Sequence, residues 1–147
     1  MYIKLQNNEI KPYSLFQLRK DNPNTSFPKT IPSEILESYG VYKCKLDSRP
    51  EYNFLTEIIQ SSGIFYENNE YIQKWQVSQL DQTTAEANIR NKRDSLIEEE
   101  IDKINGIWWE QMDETKKQEW IDYRQNLLDI PQQTGFPYNV NWPNKPL

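Results

Sequence analysis

The sequence predicts a small α+β protein, and three observations support this class. Segments near the N-terminus and in the middle of the chain alternate apolar and polar residues, as half-buried strands do. Two later segments carry apolar residues at helical spacing, and a tail rich in proline and aromatic residues follows them. The length of 147 residues suits one ordinary domain or two very small ones. We expect a strand–helix–strand module over residues 1–46 and a second part over residues 54–147.

The alternating segments predict short antiparallel strands. Asn-rich stretches at 7–8 and 67–70 are typical of turns, because Asn tolerates positive φ at low cost. Cys44 lies in an alternating segment and is expected to be a small buried side chain. A short helix is expected over residues 12–18. The strand candidates are residues 1–6, 41–45, 55–60, 64–66 and 71–80, of which 41–45 is able to join the sheet formed by the later ones.

Residue types that cap helices mark where the helices begin and end. Ser33 is the expected N-cap of a short helix that ends before Gly40, and this glycine has the position of a left-handed C-terminal residue. Thr83 and Glu86 match a capping box, which predicts a long helix from there to about Glu110.

A second long helix is expected after a cap at Asp113 or Thr115, and Pro131 ends it because proline lacks an N–H donor. Two amphipathic helices with a short connection predict an antiparallel hairpin. Its apolar stripe consists of Trp120, Tyr123, Leu127 and Ile130.

The tryptophans near the expected hairpin turn admit two interpretations. Trp108 and Trp120 either lock the hairpin together, which is the simpler interpretation, or form a platform on which a ligand stacks. Trp109 points about 100° away from Trp108 on a helix, so it is expected to meet the sheet, the tail or a partner. Arg124 lies four positions after Trp120 and is able to pair with a carboxylate, either Asp129 or one of a partner.

The C-terminal tail is expected to be extended, because the residue before a proline avoids helical backbone angles. Phe136, Tyr138, Val140 and Trp142 must find apolar surface on their own domain or on a partner, and both outcomes are compatible. A preset segment with aromatic side chains docks at low entropic cost. Phe136, Tyr138 and Trp142 are therefore predicted partner-binding residues, together with Trp109 and Arg124.

Composition argues against several functional classes. The chain has no histidine and only four glycines, which removes the usual catalytic base and a glycine-rich phosphate loop. The acidic residues 98–100 could gather a divalent ion, but they are more simply the solvated face of a helix. We therefore expect no enzyme activity, cofactor or metal. A net charge of −5 argues against nucleic-acid binding, and no apolar run approaches the length of a membrane span.

The C-terminal half resembles the phage tail assembly chaperone family over about residues 70–146. Two upstream stretches, Trp75-x-Val77 and residues 90–96, resemble the blocks that precede the family signature. More loosely, segments between residues 12 and 42 are similar to N-terminal modules of phage tail-associated proteins. Residues 106–110 depart from the family pattern, which usually has a proline-rich linker there. The signature itself is carried by Trp120, Tyr123-Arg124-Gln125, Leu127, Asp129-Ile130-Pro131-Gln132-Gln133, Gly135-Phe136-Pro137 and Trp142-Pro143.

This resemblance implies a non-enzymatic protein that binds a tail or tail-fibre polypeptide during assembly in the host cytoplasm, where it is expected to be oligomeric when in a tail assembly. The alternative is a permanent part of the virion tail, such as an adaptor or fibre-attachment protein. A third class, an enzyme acting on surface polysaccharide, requires carboxylates in a cleft, and nothing in the sequence selects such a pair. Structural roles are predicted for Trp108, Trp120, Tyr123, Leu127 and Pro131.

Overall fold

The computed structural model describes residues 1–7 and 9–147, so Asn8 of the first expected turn lies outside the described residues. The protein is α+β, as the sequence predicts. The strands are β1 (Tyr2–Gln6), β2 (Glu9–Tyr13), β3 (Val41–Leu46), β4 (Glu57–Glu67) and β5 (Glu70–Gln79). The α-helices are α1 (Leu15–Asp21), α2 (Ser33–Ser38), α3 (Gln82–Leu96), α4 (Gly106–Gln111) and α5 (Glu114–Leu128).

The strands form a mixed sheet in the order β2-β1-β3-β5-β4. β1 is antiparallel to β2 and β3, whereas β3 is parallel to β5, with Cys44 opposite Tyr71. The prediction of antiparallel strands was therefore wrong for this pair. The chain reverses between β4 and β5 at Asn68 and Asn69, which have φ of 50° and 61°. After this two-residue turn, β5 runs in the same direction as β3.

Some expected strand boundaries also differ. Residues 57–60 and 64–66 of two separate candidates belong to the single strand β4, whereas Leu55 and Thr56 lie in the turn before it. Pro12 belongs to β2 instead of the first helix. Proline is acceptable there because β2 is an edge strand with a neighbour on one side. Helix α1 begins after Ser14, whose hydroxyl accepts a hydrogen bond from the Gln17 N–H at 3.0 Å.

The chain divides into two compact units. The first contains residues 1–51 and 59–77, and the second contains residues 52–58 and 78–147. The pairing of β5 with β3 ties the β4–β5 hairpin to the N-terminal residues. The first unit buries a small cluster of Leu18, Ile31, Leu36 and Val41.

Two predicted N-caps were wrong. Pro32 has the N-cap position of α2, so Ser33 is the first residue of the helix. No side chain makes a capping hydrogen bond at this helix start. Helix α3 is capped by Asp81 instead of Thr83, because the Asp81 carboxylate accepts hydrogen bonds from the backbone N–H of Thr84 at 3.0 Å and from its hydroxyl at 2.7 Å. The prediction for Gly40 is confirmed, since its φ is +69°.

The long helix expected from Thr83 to about Glu110 is interrupted. After α3, residues Ile97–Ile101 form a π-helical turn, and a new helix, α4, begins at Gly106. Asn105 caps α4, because its side-chain oxygen accepts a hydrogen bond from the Trp108 N–H at 2.8 Å. Such side-chain bonds to nearby backbone compete with helix continuation. Asp113 caps α5 in the same way, as one of the two predicted caps.

Candidate functional site

The core of the second unit is built on one face of α5. Trp120, Tyr123 and Leu127 lie three and four residues apart, so they share one side of the helix. They are buried together with Ile89 of α3 and with Ile130, which begins a 3-10 turn that ends at Gln132. Trp120, Tyr123 and Leu127 are three of the residues for which structural roles were predicted.

Pro131 lies in the turn that follows α5 and is half-buried. The last helical residue is Leu128, so the helix ends before the proline, as residues preceding a proline avoid the helical region. From Thr134 to Asn139 the backbone forms turns, and the chain then continues without regular structure to its end. The tail is therefore less extended than expected at its beginning.

The aromatic residues of the tail pack on the second unit itself. Phe136, Val140 and Trp142 are partly buried against the core cluster. The Tyr138 hydroxyl donates a hydrogen bond to the Leu80 carbonyl at 2.8 Å. These rings were expected to pack on their own domain or on a partner, and in the structure they pack on the chain's own surface.

Side-chain hydrogen bonds hold the tail in place. The Gln133 side chain donates to the Asn141 carbonyl at 2.9 Å and accepts from the Asn141 N–H at 2.8 Å. Gly135 accepts a hydrogen bond from the Asn139 N–H at 2.7 Å, and a Cβ at position 135 would collide with the Asn139 carbonyl. The glycine is thus needed for this tight turn.

Cations cover several rings of the same unit. The Arg90 guanidinium lies 5.4 Å from the centre of the Phe136 ring, and the Lys92 ammonium lies 4.6 Å from the Trp142 ring. These distances are within the range of cation–π attraction. Residues of α3 therefore lie against two of the rings that were predicted to bind a partner.

Tyr123 connects α5 to the π-helical turn. Its hydroxyl donates a hydrogen bond to the Glu100 carboxylate at 2.6 Å, and Lys145 of the tail lies 3.6 Å from the other oxygen of that carboxylate. Burial raises the pKa of the Tyr123 hydroxyl above its ordinary value, and the hydrogen bond to Glu100 and the charge of Glu100 raise it further.

This raised pKa predicts a specific loss of stability at alkaline pH. Because the folded state holds the phenol proton more tightly than the unfolded chain, the contribution is fully present below about pH 10 and is lost as pH rises above that value. We expect the free energy of unfolding to fall less steeply with pH in Tyr123→Phe than in the wild type. Urea titrations between about pH 8 and 11 measure this, and identical slopes would contradict it.

Helix α4 presents apolar side chains to solvent. Ile107 is 73% exposed and Trp108 is 49% exposed, while Trp109 packs against the core cluster. Trp109, which was expected to meet the sheet, the tail or a partner, thus packs against the cluster that the tail residues Phe136 and Trp142 also contact. Trp108 contacts Trp120 edge to face, with ring centres 6.2 Å apart.

A groove of about 670 Å³ lies beside Trp108, and we call it the Trp108 groove. Its apolar lining comes from the residues between α3 and α5, from α5 itself and from the C-terminus. Charged side chains, among them Lys103 and Lys116, lie at its border. The apolar lining consists of Ile104, Trp108, Met112, Trp120, Pro146 and Leu147. Ile104, Ile107 and Met112 were not predicted as site residues. The sequence does contain a signal for the interruption before α4, because the Asn105-Gly106 pair is typical of a helix start.

Arg124 lies on the exposed side of α5. Within residues 1–7 and 9–147 no carboxylate lies within 4.0 Å of its guanidinium, and the Asp129 carboxylate instead accepts a hydrogen bond from the Gln125 side chain at 2.9 Å. The described residues also contain no group of three or more Asp, Glu, His or Cys side chains placed to hold a metal ion. None of the helices in the described ranges is both long and apolar enough to cross a membrane.

Comparison with known proteins finds one family that the C-terminal part of the chain is similar to. Residues 86–147, which extend from α3 to the C-terminus, match the family model of the phage tail assembly chaperone protein. The match supports the resemblance over this range. Neither the curated proteins nor the solved structures include a match to this chain.

Proposed function

We propose that this chain, whose residues 86–147 match the phage tail assembly chaperone family, binds a tail or tail-fibre polypeptide during bacteriophage tail assembly. The protein acts by adhesion and transforms no molecule. Its place of action is the cytoplasm of the host cell. The proposed binding surface is the Trp108 groove, because Ile107 and Trp108 are exposed beside its apolar lining within the matched segment.

Trp108 has the properties of an interface anchor. Tryptophan is enriched among the residues that dominate binding energy, because a large rigid ring fills a pocket with little loss of entropy. The Asn105 cap fixes the start of α4, and the contact with Trp120 fixes one edge of the Trp108 ring. The ring is thus positioned before a partner arrives, which lowers the cost of association.

The border of the groove is polar, as in many protein interfaces. Lys116 pairs with Glu119 at 2.9 Å, and Lys145 approaches Glu100 at 3.6 Å. Lys103 has no carboxylate within 4.0 Å among the described residues. A partner with an apolar side chain for the groove and a carboxylate for Lys103 fits this surface. Arg124, on the exposed side of α5, offers a second cation for the same kind of partner.

The aromatic residues of the C-terminal tail connect the core cluster to this surface. Because Phe136 and Trp142 pack on the core cluster, and because Pro146 and Leu147 line the groove, the tail links the core to the proposed binding surface. We therefore assign Phe136, Tyr138 and Trp142 a bracing role in binding. Trp109 has a similar role, since it packs inward behind the exposed ring of Trp108.

A permanent place in the virion tail is the second candidate, and the exposed apolar side chains of both units favour it. A subunit that stays in a tail buries a large apolar area against its neighbours. Phe16, Phe54 and Tyr66 are all more than half exposed, at 75%, 70% and 59%. Mass spectrometry of purified particles separates the candidates: a fixed copy number indicates a virion part, and absence indicates a chaperone that is released.

Replacement of the exposed ring tests the proposed surface. We expect Trp108→Ala to weaken binding of the purified tail or tail-fibre polypeptide at least about tenfold, which equals about 1.4 kcal/mol, because the anchor of the groove is lost. Isothermal titration calorimetry measures the dissociation constant. Ile107→Ser provides a second variant at a more exposed position of the same helix.

Ile121→Ala is the matched control for these variants. Ile121 is 50% exposed on α5 and does not line the Trp108 groove, so its replacement is expected to leave the affinity unchanged. Equal affinities for wild type, Trp108→Ala and Ile107→Ser would contradict the proposed surface. Absence of binding by the wild-type protein to every tail and tail-fibre polypeptide tested would contradict the proposed function itself.

A further inference from the structure

Residues 143–147, which we call the Lys145 arm, lie between two cavities of the second unit. One cavity is the Trp108 groove. The other has a volume of about 530 Å³ and is lined by one side of α5 as far as Asn126. Pro146 and Leu147 line both cavities, and so does Lys116 of α5. The arm is therefore the wall that separates two cavities that α5 lines in common.

Few contacts hold the Lys145 arm in place. Within the part of the chain that the structure describes, no hydrogen bond involves residues 143–147, and the nearest ones join Gln133 to Asn141. The Lys145 ammonium lies 3.6 Å from the Glu100 carboxylate and 6.0 Å from the centre of the Trp120 ring. Ion pairs of half-exposed lysines are weak, because water screens them. Displacement of the arm therefore costs little.

The Glu100 carboxylate indicates the chemistry that this surface accepts. Only 22% of its side chain is exposed, and the Tyr123 hydroxyl donates a hydrogen bond to it at 2.6 Å. Glu100 lies in the π-helical turn, a distortion that is frequent at functional sites. A largely buried carboxylate needs a cation, because burial removes its hydration. If the arm leaves, whatever replaces it must supply the positive charge that Lys145 supplies in this structure.

We propose that the Lys145 arm covers part of the binding groove and that a segment of the tail or tail-fibre polypeptide replaces it, with a lysine or arginine on Glu100 and an apolar side chain beside Trp108. This inference rests on the proposed function and extends its binding surface. Without the arm, the two cavities form one groove along α5. From Lys116 to Asn126 this groove is about 15 Å long, which an extended segment of about five residues covers.

Two substitutions that break the same ion pair test the displacement. We expect Lys145→Ala to tighten binding of the purified tail or tail-fibre polypeptide about threefold, because the arm no longer competes for Glu100. We expect Glu100→Gln to weaken binding at least about tenfold, because the cation of the partner loses its carboxylate. Isothermal titration calorimetry measures both dissociation constants. An ion pair that served only to stabilise the fold would not change the affinity in opposite directions.

Lys117→Ala is the matched control for these variants. Lys117 pairs with Glu114 at 2.9 Å, and neither residue lines the two cavities, so its replacement is expected to leave the affinity unchanged. Urea unfolding of each variant checks that it folds. If Glu100→Gln does not fold, the result for Lys145→Ala decides by itself.

The inference is overturned if Lys145→Ala binds the polypeptide as the wild type does, or more weakly. It is also overturned if a folded Glu100→Gln variant binds as tightly as the wild type. In both cases binding by the wild type leaves the proposed function standing. Failure of the wild type to bind any tail or tail-fibre polypeptide overturns both proposals.

Discussion

Replacement of Trp120 by alanine is expected to lower the free energy of unfolding by about 3–5 kcal/mol. The side chain is only 4% exposed and belongs to the core cluster of the second unit. Its ring contacts Trp108 and Tyr123 edge to face, at 6.2 and 5.9 Å between centres. The substitution therefore removes a large buried ring and leaves a cavity. Urea unfolding followed by circular dichroism measures the change.

Ile121→Ala is the control for this substitution as well, because it removes a half-exposed side chain from the next position of α5. Surface substitutions usually change stability by less than about 0.5 kcal/mol. A loss of less than about 1 kcal/mol in Trp120→Ala would contradict the central place of Trp120 in the core.

Removal of residues 135–147 is expected to destabilise the second unit by about 3 kcal/mol or more, because three half-buried apolar side chains lose their contacts. Phe136, Val140 and Trp142 pack against the core cluster, and Tyr138 loses its hydrogen bond to the Leu80 carbonyl. Urea unfolding of the shortened chain measures the loss. A tail that served only to dock outward would leave stability unchanged.

The control for this truncation is removal of Leu147 alone. Leu147 is fully exposed, so its loss is expected to leave the free energy of unfolding unchanged. Equal stability of the chain ending at Thr134 and the full-length chain would contradict the bracing role of the tail, and the rings would then be available to a partner.

Much of the fold was predictable because the relevant patterns are local. Alternation identified β5, and the Asn68-Asn69 turn agrees with the ability of Asn to adopt positive φ. The parallel pairing of β3 with β5 was not predictable in the same way, since it joins residues about 27 positions apart, such as Cys44 and Tyr71. No local pattern distinguishes it from an antiparallel pairing.

The site was predicted less well, and the helix break explains why. The directions of the Trp108 and Trp109 side chains were inferred for one continuous helix, in which each residue has a fixed angular position. The interruption before Asn105 resets that angle, so the orientation of α4 depends on its own cap. The buried stripe of α5 has no such interruption, and Trp120, Tyr123 and Leu127 lie where the spacing places them.

The destination of the tail could not be inferred from residue types. An aromatic residue before a proline fits self-packing and partner binding equally, because both bury the ring. Specific pairings decide the outcome here, such as Lys92 over Trp142 and the Gln133 side chain on the Asn141 backbone. These pairings join residues whose proximity follows only from the folded chain.

Photo-crosslinking in infected host cells tests the central claim most directly. A benzophenone amino acid replaces Trp108 in one variant and Ile121 in another, at two half-exposed positions of the second unit. If the protein binds a tail or tail-fibre polypeptide through the Trp108 groove, irradiation yields a crosslink to that polypeptide from position 108 and little from position 121. No crosslink to any tail component from position 108, or equal yields from both positions, would contradict the account.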